Sequence, residues 1–384
     1  MIKTSKYGVN TVCIHTGDIK DKQFKGAVSP MYLSTSYEFL EVDKKRYPRY
    51  FNTPNQEALC QKIAALEHAE DALIFSSGMA AISTMLLAFL KQGDHIVLQN
   101  TLYGGTTNFI KEEFSKYGIS YTITNGYRKK DFEAAIQENT KLIHIETPSN
   151  PLLTITDIKA VVQLAKEYSL ITTIDNTFAS PINQNPMDFG VDLVMHSATK
   201  YLGGHSDISA GAVAGSEEHI KKIWNVAKNL GGNLSDMTVW LLERSMKTLA
   251  LRVKAQTKNA QEMATWLEEH TKVEKVYYPG LASHPDHALA KSQMSGYGAM
   301  LSFELQAGLD AHKFQHQLKL IKPSMSLAGV ESTVLSPHLT SHSLLSETER
   351  KALGISDQLI RFSVGIEDIE DLQLDIEQAI RAIT

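Results

Sequence analysis

The chain of 384 residues has two cysteines, Cys13 and Cys60. That is too few for a disulfide framework and fits a reducing compartment, most simply the cytoplasm. There is no C-x-x-C and no H-E-x-x-H, so the 14 histidines form no metal-site pattern and no metal is expected. His284 and His287 fall in the proline-broken run SHPDH, which reads as a surface loop. The dinucleotide fingerprint G-x-G-x-x-G, the P-loop and the G-x-S-x-G of serine hydrolases are all missing. Basic excess is missing too. Lys and Arg number 38 against 43 Asp and Glu, a formal charge of -5, which gives no support to nucleic-acid binding. The opening MIKTSKYGVN carries no apolar core, so no signal peptide is read. The uncharged stretch 72–90, ALIFSSGMAAISTMLLAFL, approaches the length of a membrane span. Ser76, Ser77 and Gly78 divide it instead into a short strand, a turn and a buried helix.

What is present is ordinary globular material, 43% hydrophobic and 21% charged, which excludes disorder as the main state. At ~150 residues per domain the length allows two or three domains. Residues 1–55 are irregular and polar, too long for a loose tail. They read either as an arm packed on a neighbour or as a disordered leader. Residues 56–240 alternate short apolar runs (ALIF, HIVLQ, KLIHIET, LITTIDNT, DLVMHSAT, AGAVAG) with helical patterns. That alternation predicts an α/β fold with a mostly parallel sheet. A long helical pattern after residue 235 leads into a smaller C-terminal region, 241–384. It holds the strand-like runs GAMLSFEL and LIRFSVGIE and helical segments near 310–320 and 367–383.

In parallel sheets, ligands gather at the carboxyl ends of strands. Polar residues just after the predicted strands therefore carry the chemistry. In SATKYLGGHSD, residues 197–207, Lys200 stands between hydroxyls and glycines. Asp175 ends LITTID; by itself it suits an Asx-turn as well as a functional acid. Together, an amine and an acid are what pyridoxal 5'-phosphate (PLP) asks of a protein: a lysine for its aldehyde and a carboxylate for its ring nitrogen. The turn SSGMAA places Gly78 and Met79 at a helix start, where free N–H groups suit an anion. Ser197 and Thr199 could add hydroxyls.

SATKYLGGHSD, IDNTFASP, IETPSNPL, SSGMAA, LYGGT and LIRFSVGIED occur together, and as a set they resemble the Cys/Met-metabolism family of PLP enzymes. That family includes cystathionine γ-lyase, cystathionine β-lyase, cystathionine γ-synthase and methionine γ-lyase. The similarity runs from about Thr11 to Ile380. It implies the aspartate aminotransferase-like type I fold and a homotetramer, a dimer of dimers with shared active sites. Lys200 resembles the Schiff-base lysine and Asp175 the ring-nitrogen partner. Gly78, Met79, Ser197 and Thr199 resemble the phosphate cradle, and Tyr103 the tyrosine stacked on the ring. Tyr47 and Arg49 match the Y-x-R that reaches a neighbouring subunit's phosphate site, which gives the 1–55 arm a reason to be ordered. Arg361 resembles the clamp on the substrate α-carboxylate, and Ser326 and Asn150 match further positions around substrate and cofactor.

Three departures bear on substrate. The family's N-P-T appears as Asn52-Thr53-Pro54. Met325, in SMSLAGVES, replaces a glutamate near the substrate's distal end, which should weaken recognition of a distal ammonium. Gly105 stands where methionine γ-lyases carry cysteine. The expected activity is PLP-dependent cleavage of a carbon–sulfur bond in cystathionine or a related amino acid such as methionine, by α,γ- or α,β-elimination. Thiol, ammonia and a 2-oxo acid would be released, with Lys200 moving protons and Tyr103 assisting. The alternatives are a cystathionine γ-synthase, which would join cysteine to an O-acylhomoserine, and a catalytically silent PLP-fold binding protein. No nucleic-acid or membrane partner is expected.

Overall fold

The apolar runs from HIVLQ to AGAVAG become neighbouring strands buried on both faces, whereas ALIF pairs with the last of them. The computed structural model describes residues 7–340, 348, 350 and 353–384. The first sheet contains β1 (Asp71–Phe75), β2 (His95–Leu98), β3 (Ser120–Ile123), β4 (Thr140–Glu146), β5 (Ile171–Asp175), β6 (Leu193–His196) and β7 (Gly211–Gly215). Their order is β1-β7-β6-β5-β4-β2-β3. Pairing is parallel from β6 through β3, and β7 runs antiparallel to both β1 and β6. Helices cover both faces. Gly78–Phe89 packs with Ile96, Leu142 and Met195, whereas Ile158–Glu167 packs with Val97, Ile143 and Ile174. The parallel strands therefore end together, and the loops after Phe75, Leu98, Glu146, Asp175 and His196 share one edge.

The second sheet is richer than the sequence suggests. It contains β8 (Val273–Tyr277), β9 (Met300–Leu305), β10 (Lys322–Pro323), β11 (Thr333–Leu335) and β12 (Leu359–Ser363), in the order β10-β11-β12-β9-β8. Only β9 and β12 have the apolar runs that announced them. In β8, VEKVY, just Val276 is fully buried, so the edge strand lacks a hydrophobic signature. The expected single long helix is two, Asp236–Met246 and Leu249–Glu269. Arg252 holds the break: its guanidinium donates to the carbonyls of Ser245 and Tyr201 at 3.0 and 2.9 Å. The surface reading of SHPDH is also corrected. His284 is buried, and Asp286 accepts from Ile155 N at 3.1 Å while pairing with Arg128. The loop thus braces the stretch after β4, and burial lowers the His284 pKa.

The first 55 residues are not irregular throughout. Val9–His15 is helical, and Val12 and Cys13 join the core. Lys62, fully buried, donates to Cys13 O at 2.7 Å and pairs with Glu243 at 3.6 Å, pinning this helix to its own chain. Beyond it the segment is exposed and apolar in places, with Phe24 79% and Leu40 70% exposed. The exchanged order Asn52-Thr53-Pro54 makes a complete helix start. Thr53 caps Pro54–Glu67 in a capping box with Gln56, and Pro54 takes the first helical position, where no N–H is needed. Cys60 lies buried in this helix, its thiol pushed up by burial; both cysteines are free. Among the described residues no helix is long and apolar enough to cross a membrane.

Candidate active site

Ser77 caps the helix Gly78–Phe89, accepting from Ala80 N at 3.0 Å, while Ala81 N bonds Ser77 O. Among the described residues the N–H groups of Gly78 and Met79 are left without an acceptor, as the first turn of a helix requires. Gly78 abuts Ser197 so closely that a Cβ there would lie 2.9 Å from the Ser197 Cβ. The two predicted halves of the cradle therefore meet, and only glycine permits it. Thr199 is more committed: its hydroxyl lies 3.1 Å from Ala210 O and accepts from Ala210 N at 3.0 Å. It can serve an anion only by giving up the Ala210 carbonyl.

Asp175 ends β5 and is buried. Burial pushes its pKa up, and Thr177, whose N–H donates to Oδ1 at 2.9 Å, together with the nearby His196, pulls it back. His196 lies 2.5 Å from Glu67 Oε1. A second buried carboxyl, Glu146, was not singled out from the sequence. It ends β4 and is the register partner of Asp175. Burial, and then Asp175 itself, push Glu146 well above the usual carboxylate range. The signal for Glu146 was the same as for Asp175, an acid closing an apolar run; only the strand register sets them side by side.

Lys200 follows β6, and its Nζ donates to Ser326 Oγ at 2.6 Å. Burial, and then the neighbouring Arg361, lower its pKa to about 8. Arg361, on β12, is buried. It donates to Asn150 Oδ1 at 3.1 Å and to Ser326 O at 3.0 Å. Among the described residues no carboxylate pairs with it, and burial lowers its pKa to about 10. A buried guanidinium holding only neutral carbonyls is matched to an incoming carboxylate. Ser326 is the hinge of this cluster and adopts φ 79°, a left-handed conformation that a non-glycine residue keeps only when its surroundings impose it. Met325, beside it, is exposed.

Tyr103 opens the helix Gly104–Glu113, and its N–H donates to Glu146 Oε2 at 2.6 Å. Its ring lies over Gly105: a Cβ at 105 would stand 2.5 Å from Tyr103 Cε1 and 3.1 Å from Met79 Sδ. A cysteine at that position would displace the ring, so Gly105 and the Tyr103 position go together. The sequence-predicted residues Gly78, Met79, Ser197, Lys200, Ser326, Asn150 and Arg361 are thus linked by contacts, and Tyr103 and Asp175 join them through Glu146. Tyr47 and Arg49 do not join them within the chain. Their hydrogen bonds and ring contacts go to Tyr50, Asn52 and Lys228.

The model of the family described as "Cys/Met metabolism PLP-dependent enzyme" matches residues 10–381. The chain belongs to this family. A cystathionine beta-lyase of Lactococcus lactis subsp. cremoris (strain MG1363) is 43% identical over 97% of the chain and 98% of its own length. A cystathionine gamma-lyase of Bacillus subtilis (strain 168) is 42% identical over 97% of the chain and 99% of its own. The crystal structure of a cystathionine gamma-lyase from Lactobacillus plantarum complexed with L-serine superposes with a TM-score of 0.94 at 40% identity. It covers 98% of this chain and 99% of that one. The fold is accordingly the type I fold of PLP enzymes, and PLP is the family's cofactor. The residues of this site fit it: a glycine-lined N–H cradle beside a serine for the phosphate, a buried carboxyl group at Asp175, and an amine whose proton is loosely held.

Proposed function

We propose that this member of the Cys/Met-metabolism family is a carbon–sulfur lyase acting on cystathionine or a related sulfur amino acid. The observation that carries the reading is the Lys200–Ser326–Arg361–Asn150 cluster, in which an uncharged-prone amine and an unpaired buried guanidinium share one serine. Arg361 would take the substrate's α-carboxylate, with Asn150 and the Ser326 carbonyl fixing its plane. Lys200 would hold the cofactor's aldehyde and, once released, remove the α-proton and return it further along the side chain. Bound PLP supplies the electron sink for the charge left at the α-carbon. Asp175 would keep its charge toward the ring nitrogen, Tyr103 would lie on the ring, and Gly78, Met79, Ser197 and Thr199 would hold the phosphate. Tyr47 and Arg49, whose partners are Tyr50, Asn52 and Lys228 rather than the Lys200 cluster, would complete the site of a second copy, within a homotetramer whose exposed 18–50 segment would lie against that neighbour. The exposed Met325 offers a soft apolar contact rather than a charge to the distal end of the substrate. Residues 1–55 would form the arm, 56–240 the PLP-binding domain and 241–384 the small domain.

The deciding experiment is a substrate panel on purified protein. 2-Oxo acid and thiol release from cystathionine and methionine is the expected result. Cystathionine formation from an O-acylhomoserine and cysteine, faster than any release, would replace the lyase with a γ-synthase. A protein that takes up PLP and turns over none of these would be a binding protein.

The lowered pKa of Lys200 sets a pH dependence. Only the neutral amine attacks an aldehyde, and a pKa of about 8 leaves roughly a tenth of it neutral at pH 7. Uptake of PLP by the apoprotein should therefore quicken about tenfold per pH unit below 8 and level off above it. Stopped-flow absorbance across pH 6–10 checks this; a rate still climbing at pH 10 would return Lys200 to an ordinary lysine.

A further inference from the structure

We propose that Glu146 is a positioning residue that couples cofactor to substrate binding through two backbone N–H groups, those of Tyr103 and Asn150. This rests on the reading above, in which Tyr103 meets the cofactor ring and Asn150 orients Arg361. Glu146 is buried at the end of β4, in register with Asp175 on β5. Its Oε2 accepts from Tyr103 N at 2.6 Å, and the Asn150 backbone N–H lies near enough to its carboxyl to favour the charged form. Its own backbone is held on both sides by Gln99, whose amide donates to Glu146 O at 2.8 Å and accepts from Glu146 N at 3.3 Å; Thr156 fixes that amide in turn at 2.9 Å. The carboxyl is thus a rigid stop with two arms. One arm sets where helix Gly104–Glu113 begins and so where the Tyr103 ring lies. The other sets the height of Asn150, whose side chain holds the guanidinium of Arg361 at 3.1 Å. Small displacements of such a support are amplified, because a misplacement of ~1 Å at a reacting group costs on the order of a hundredfold.

The test uses Glu146→Ala and Glu146→Gln in the full-length protein. Affinity of the apoprotein for PLP is read by absorbance titration, KM and kcat from 2-oxo acid release, and unfolding from the melting temperature. In Glu146→Ala, PLP affinity should fall and KM rise, each by roughly ten- to a hundredfold. In Glu146→Gln, which keeps one acceptor oxygen, both should lie between Glu146→Ala and the unsubstituted protein. Glu146→Gln also serves if Glu146→Ala fails to fold, since an unchanged PLP affinity and KM in a folded Glu146→Gln would overturn the proposal. So would a loss confined to the melting temperature in either variant. If the unsubstituted protein takes up no PLP at all, the functional reading fails first, and the two failures are told apart.

Discussion

Lys200→Ala should abolish turnover and leave a protein from which PLP is lost on gel filtration. In the proposed reading the amine has two tasks that nothing else in the cluster can take over. It is the nucleophile toward the cofactor's aldehyde, and methyl has no lone pair. It is also the group that moves the substrate proton, and Ser326, its 2.6 Å neighbour, is too weak a base to replace it. General-base transfer alone contributes about 10²–10⁴-fold, so a loss of at least roughly 10³-fold in kcat is expected once anchoring is lost as well. The fold should persist. Removing the amine relieves a buried cation whose burial already lowers its pKa, so circular dichroism and melting temperature should be close to those of the unsubstituted protein. Full 2-oxo acid release from Lys200→Ala would sink the assignment of the site.

Arg361→Ala is the second large effect, and it should divide differently. The guanidinium lies buried against Asn150 Oδ1 and Ser326 O with no carboxylate partner among the described residues, and in the proposed reading its charge serves the substrate. A charge-assisted bond to a carboxylate contributes about 1.5–3 kcal/mol, which corresponds to roughly ten- to a hundred-and-fifty-fold in kcat/KM. The loss should appear mainly in KM, because the α-carboxylate is held in the same way before and during reaction. PLP content should be unchanged. Arg361→Lys should recover little, since an ammonium cannot present two parallel donors. A further sign follows from the neighbour. Arg361 helps to lower the Lys200 pKa, so its removal should raise that pKa and move the PLP-uptake profile to higher pH. An unchanged KM with an unchanged profile would remove Arg361 from the site.

Much of this site was legible because strand-end chemistry is written locally. Lys200 amid SATKYLGG, Asp175 closing LITTID and the serine-glycine turn before residue 78 each follow an apolar run, and a parallel sheet brings all such ends to one edge. Glu146 obeyed the same rule and was passed over, because nothing in IETPSNP tells which strand lies beside β4. His284 looked like a loop histidine because a proline-broken run says nothing about what packs on it; it proved buried. The break between Met246 and Leu249 was hidden for a similar reason. Arg252 draws carbonyls from 201 and 245 to itself, a contact across sequence that no periodicity records.

By itself, then, the order of residues determined the α/β alternation, the family and the chemical types at the strand ends, since these depend on short-range pattern and composition. The tertiary structure decided which of those groups share a site and in what state. It buries Glu146 and Asp175 side by side, and that burial pushes the pKa of both upward. It sets Arg361 near Lys200, lowering the amine toward neutrality, and ties Arg49 to the Lys228 carbonyl. Charge states follow from desolvation and distance, and distance between residues 146, 175, 200 and 361 exists only once the two sheets have folded.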